Sequence, residues 1–218
     1  MKFSSISTKK ILLLIGLISV AVLILALILN NLDFSFFLGL LFDGAKEFAH
    51  SGTISSNFMP IGYSSFLGAC LKIGGVNGIP ACQAFIYIGI LLATFWFMKL
   101  RGVSSALLVL GILVIAFHPV LLLNIWRIHD GNTTVLLLLG FLAAGISFIR
   151  FRSLRSVLIL GIFAGLLFTV RQNTIPLFVV ALFFLGNDNL KILGANYLKR
   201  AALFLVIAMA FMVGVNLL

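Results

Sequence analysis

Asp43, Lys46, Glu47 and His50 fall within eight positions of a chain that is 62% hydrophobic and 9% charged. Ionisable groups are costly in or near a bilayer, so such a concentration marks a functional site before anything else is known. Asp43, Glu47 and His50 are spaced i, i+4, i+7 and share one face if the segment is helical. Carboxylates placed this way can take a proton from a nucleophile or help to hold a cation. The plainer reading is the solvated face of a juxtamembrane helix, with Lys46 pairing Asp43 at i+3. Phe42, Ala45 and Phe48 would then face lipid.

Two further groups of residues invite the same question. Arg127, His129 and Asp130 stand in the sequence W-R-I-H-D. Arg127 is part of a site at the mouth between two runs or simply anchors a helix end. Asp130 is part of the same site or serves as an N-cap whose carboxylate accepts backbone N–H groups. Arg171 interrupts the apolar stretch L-L-F-T-V-R-Q-N-T-I-P. Its planar fork matches a phosphate with two parallel donors, and a turn residue is the alternative. His50, His129, Asp43, Glu47 and Asp130 include donors that suit Mg²⁺ or Mn²⁺, with Asp43 and Asp130 the candidate ligands, although no local spacing demands a metal. His118, followed by Pro119, is expected at a kink.

The elements that must position these residues are apolar runs, at roughly 11–31, 61–73, 80–98, 103–123, 132–149, 156–170, 174–186 and 201–218. With a mean hydropathy of +1.27, they predict an all-α polytopic membrane protein, a single membrane domain over 1–218. No alternating barrel-type pattern appears. Basic clusters separate the runs: Lys9/Lys10, Lys99/Arg101, Arg150/Arg152/Arg155 and Lys191/Lys199/Arg200. If all are cytoplasmic, an even number of crossings lies between each pair. The later intervals obey this, but three runs lie between Lys10 and Lys99.

The run 61–73 is short, carries Lys72 and ends at Gly74-Gly75, so it is assigned to a helix along the surface. About seven transmembrane helices and a cytoplasmic N-terminus follow. Residues 32–79 become one large outer loop with juxtamembrane surface helices. The loop 124–131 and the turn 171–173 then face the same side as Asp43. The N-terminal run lacks a small-x-small cleavage site and reads as an uncleaved signal anchor. The last run stops without a polar flank, so either the chain ends at the far surface or it continues beyond Leu218.

The net charge of +10 does not indicate nucleic acid, because the cations are scattered between apolar runs. Cys70 and Cys82 lack metal-type spacing and read as two apolar thiols, with a disulfide open to them in an oxidising compartment. Gly161 and Gly165 form a G-x-x-x-G, read either as close helix packing or as chance in a glycine-rich chain.

An acidic residue after the first span, a surface helix, then P-I-G-Y-S-S-F-L-G-A-C-L-K-I-G-G resembles the first outer loop of the GT-C membrane glycosyltransferases. These include protein mannosyltransferases and aminoarabinose transferases. Pro60, Gly62, Tyr63 and Gly74 fit the pattern, while Ser64 stands where Pro is common. The segment G-I-F-A-G-L-L-F-T-V-R-Q-N resembles the family's Gly-x-x-x-Gly-Leu…Arg-Pro, with Gln172 in place of Pro. The resemblance covers about residues 10–218, the family's N-terminal module; family members usually continue with further spans or a soluble domain.

It implies transfer of a sugar from a polyprenyl-phosphate donor to an acceptor hydroxyl of a glycan, lipid or protein at the outer face. Asp43 would be the base or a metal-bound orienting group. Arg127, Arg171 and Lys72 would hold phosphate, and Glu47, His129 and Asp130 would orient substrate or metal. The competing class is a non-catalytic membrane protein, such as a transporter, a flippase component or a subunit of a larger complex. Transporters favour midplane charges and repeats; neither appears here.

Overall fold

The structure, a computed structural model, describes residues 7–28, 36–54, 61–186 and 195–216. Pro60, Lys191 and the terminal Leu217-Leu218 lie outside the described residues. Every regular element among the described residues is helical. They are α1 (Thr8–Ile28), α2 (Phe36–Ser51), α3 (Ile61–Leu100), α4 (Ser105–Ala116), α5 (Pro119–Leu123), α6 (Gly131–Phe151), α7 (Leu154–Val170), α8 (Pro176–Gly186) and α9 (Ala195–Asn216). A single 3₁₀ turn, Gln172–Thr174, joins α7 to α8.

Four of these helices are long and apolar enough to cross a membrane: α1, α3, α6 and α9. The expected runs at 103–123, 156–170 and 174–186 form shorter helices. The first breaks at the expected place. Pro119 has no N–H to donate, so α4 ends at Ala116 and α5 restarts with Pro119 at its first position. His118 between them is exposed.

At 40 residues, α3 would reach ~60 Å, about twice a hydrocarbon core. It is in fact two helices divided at Gly75, whose φ of 62° and ψ of −162° lie in a region essentially closed to residues with a Cβ. The surface-helix assignment of 61–73 placed the break here. The second half is the central post of the fold, and α3 as a whole touches α1, α2, α4, α6, α7 and α9.

Two apolar cores flank it. One joins α1, α4 and α5 to α3 through Ile15, Val22, Tyr87, Ile90, Leu91, Phe95 and Ile112. The other joins α6, α7, α8 and α9 through Phe141, Phe148, Leu160, Leu167, Leu185 and Phe204. Within it α7 and α9 approach closely because Gly161 and Gly165 carry no side chain. A Cβ at Gly165 would lie 2.8 Å from the Ala208 carbonyl oxygen and 2.7 Å from Phe211 Cβ. The G-x-x-x-G is therefore a packing motif, not chance.

Candidate functional site

The site is floored by a third apolar cluster. Phe42 and Ala45 from α2, Tyr63, Leu67 and Cys70 from the first half of α3, Ile128 from the loop before α6, and Val170 from the end of α7 pack together. Sequence parity assigned to one side the stretch 32–79, which holds α2 and the first half of α3, the loop 124–131 and the turn that follows Val170. Local pattern explains how α2 joins them. Phe42 and Ala45 recur at helical spacing and are buried, while Asp43, Lys46 and His50 point the other way and are exposed.

The apolar face of α2 does not meet lipid, as the sequence had suggested. It lies on the first half of α3, where Gly68 leaves room: a Cβ there would be 2.7 Å from the Phe48 ring and 2.8 Å from the Ala45 carbonyl oxygen. Gly62 allows a similar approach to α7, since its Cβ would be 2.9 Å from Thr169 Cβ.

Above this floor sits Asp130. It occupies the N-cap position of α6, but its carboxylate makes no capping hydrogen bond. The expected capping role passes to its neighbour: the Gly131 N–H donates to His129 Nδ1 at 2.9 Å. With Nδ1 accepting, the imidazole carries its proton on Nε2, and the 3.4 Å approach of Nδ1 to Asp130 Oδ1 is not a hydrogen bond. Asp130 turns instead to Arg171, whose Nε lies 3.4 Å from Oδ2. The carboxylate is 14% exposed and the guanidinium 47%, so the pair sits at the rim of the protein. The positive end of α6 also favours a carboxylate at this position.

Both partners are held by their backbones. Arg171 ends α7 in an extended conformation, and its carbonyl accepts from Thr174 Oγ1 at 2.7 Å. The loop carrying Asp130 is tied from beneath. Gln83, 1% exposed on α3, donates Nε2 to the Arg127 carbonyl at 2.7 Å. Asn132 donates Nδ2 to the Leu121 carbonyl at 2.9 Å, and Asn124 reaches Asn132 Oδ1 at 3.4 Å. Gln83, Asn124 and Asn132 were not among the sequence candidates. Their signal was available, since a carboxamide buried in or beside an apolar run is costly unless it has a partner.

Tyr63 completes the interior side. It is fully buried, and Asp130, the His129 backbone and Gln83 are its polar neighbours. None stands in hydrogen-bonding geometry to its hydroxyl. The Ser64 hydroxyl, packed against Gly44 of α2, is likewise buried without a partner.

The remaining candidates stand further out. Asp43 pairs with Lys46 on its own helix at 3.4 Å, with side chains 71% and 58% exposed, which is the plainer sequence reading. Glu47 is half-buried, and Arg127 and Lys72 are exposed. Among the described residues no group of three or more His, Cys, Asp or Glu side chains could hold a metal ion. Asp43 and Asp130 each lie beside a cation of the protein, Lys46 and Arg171 respectively. Cys70 and Cys82 belong to the same apolar cluster and are both free thiols, so the disulfide open to them is not formed. No family model, curated protein or solved structure matches this chain.

Proposed function

We propose that this end of the bundle binds the phosphate of a polyprenyl-phosphate-linked sugar and passes the sugar to an acceptor hydroxyl, as a glycosyltransferase of the GT-C type. The observation that carries the reading is the Asp130–Arg171 pair. Asp130 meets only the Nε edge of the guanidinium, and the two terminal nitrogens of Arg171 have no described partner. Such a fork, held from behind and open in front, suits a phosphate on which negative charge develops as the glycosyl bond breaks. Arg127 and Lys72 are exposed cations on two of the elements that build the cluster.

Asp43 takes the role of base on grounds of access, since its carboxylate is exposed and held only through Lys46 among the described residues. Glu47 and His129 orient substrate. No step is routed through a metal. On this reading the four long apolar helices and the three shorter ones, Ser105–Ala116, Leu154–Val170 and Gln172–Gly186, make up seven crossings. On that topology the site faces the outer side of the cell membrane and the N-terminus faces the cytoplasm.

The reading is tested by titrating the purified protein with undecaprenyl phosphate and following the fluorescence of Trp126 and Trp96. Arg171→Gln is expected to weaken binding about ten-fold, whereas Arg155→Gln, on the opposite end of α7, leaves it unchanged. Equal affinities for all three proteins would leave the non-catalytic class as the better description.

A further inference from the structure

The opposite end of the bundle holds a cavity of about 310 Å³ where the C-terminal ends of α3 and α6 meet. Arg101 and Arg150 line it together with Ser147, and Leu100, Ile149 and Phe151 form its apolar wall. We infer that this cavity binds the phosphodiester headgroup of an anionic glycerophospholipid. The inference does not rest on the glycosyl-transfer reading.

Three features support it. First, the two guanidiniums converge on one cavity while the described carboxylates, Asp43, Glu47 and Asp130, all stand at the other end of the fold. Arg150 stacks its guanidinium 5.3 Å from the Phe151 ring centre, which positions the charge without neutralising it. The helix C-termini, with their negative dipole ends, further hold the arginines in place. Second, Ser147, whose Oγ lies 3.4 Å from Ser156 Oγ, places beside them a hydroxyl that can donate to a phosphodiester oxygen.

Third, the wall continues outward as an apolar surface. Leu100, Ile149 and Phe151 are 46%, 37% and 63% exposed. A free phosphate has no use for such a rim, but the glycerol and first methylenes of a lipid do. Basic pockets between membrane helices on the cytoplasmic side suit lipid headgroups in this way.

Native mass spectrometry of the protein in a neutral detergent, with phosphatidylglycerol or phosphatidylcholine added, tests the assignment. The wild type is expected to retain phosphatidylglycerol about ten-fold more tightly. The double variant Arg101→Gln/Arg150→Gln should lose that preference, and either single substitution about half of it on a logarithmic scale. Arg155→Gln, a cation at the same end that does not line the cavity, should stay within about two-fold of wild type.

A preference that survives the double substitution overturns the inference. So does an equal fall in Arg155→Gln, which would mean diffuse surface charge. Displacement of the lipid by millimolar inorganic phosphate would assign the cavity to a free anion instead. The single variants keep the test decisive should the double variant fail to fold.

Discussion

The two ends of this helix bundle treat charge in opposite ways. At one end an acid and a base face each other, Asp130 with Arg171, over a floor built from α2, α3, the 124–131 loop and α7. At the other, Lys99, Arg150, Arg152 and Arg200 lie over the aromatic rings of Phe95, Phe151 and Phe148, with no carboxylate among the described residues nearby. The first end satisfies its charges internally and ties them to the core through Gln83, Asn124 and Asn132. At the second, the described contacts of these cations are with aromatic rings. A cation over an aromatic ring does not require a carboxylate partner for its position. A buried or rim-held carboxylate in an apolar chain does need a partner, and the fold has built it.

The helix that links the ends is α7, running from Ser153 beside the basic cluster to Arg171. The sharpest way to break the comparison is therefore to dislodge it. Gly165→Leu would drive a side chain into the Ala208 carbonyl and Phe211, a clash that backbone movement alone can relieve. A loss of ~3 kcal/mol or more is expected, read as a collapse of the monodisperse peak in fluorescence-detected gel filtration. A well-behaved variant would mean that the α7–α9 contact is looser than its geometry.

Gln83→Leu is the next largest. It removes the donor to the Arg127 carbonyl, at an expected cost of ~1 kcal/mol. Because the strut serves one end only, amide exchange should quicken over 124–131 and not over 146–155. Quickening at both ends would show that the two are not separately supported.

Much of this was legible in the sequence where a residue has only one local solution. Gly74-Gly75 announced a break because only glycine adopts the backbone found at Gly75. His118-Pro119 announced a kink because proline cannot donate. The turn at Arg171-Gln172-Asn173 and the paired glycines on α7 were visible for similar reasons.

Partnerships were less legible. The apolar face of α2 reads the same whether it meets lipid or protein, and it was the bare surface of Gly68 on another helix that decided the outcome. At Asp130, position in the chain identified the N-cap, but two adjacent side chains competed for the Gly131 N–H. His129 took it once Arg171 offered Asp130 a charged partner. Such choices depend on residues that approach only after folding, and spacing along the chain does not carry them.

The smallest structural effect is expected at the residue on which the proposed chemistry most depends. Asp43 is 71% exposed and its partner Lys46 58%, so the pair contributes little to the fold. Asp43→Asn keeps the shape of the side chain and should change stability by no more than ~0.5 kcal/mol. If Asp43 is the base, the same substitution removes the group that takes the acceptor proton, and transfer should fall by at least about a hundred-fold. Abundance and thermal midpoint would be measured alongside transfer of a radiolabelled sugar from a polyprenyl-phosphate donor. Full transfer with an unchanged midpoint would return Asp43 to the solvated face of a surface helix. Attention would then pass to Asp130, the carboxylate that the fold has gone to more trouble to place.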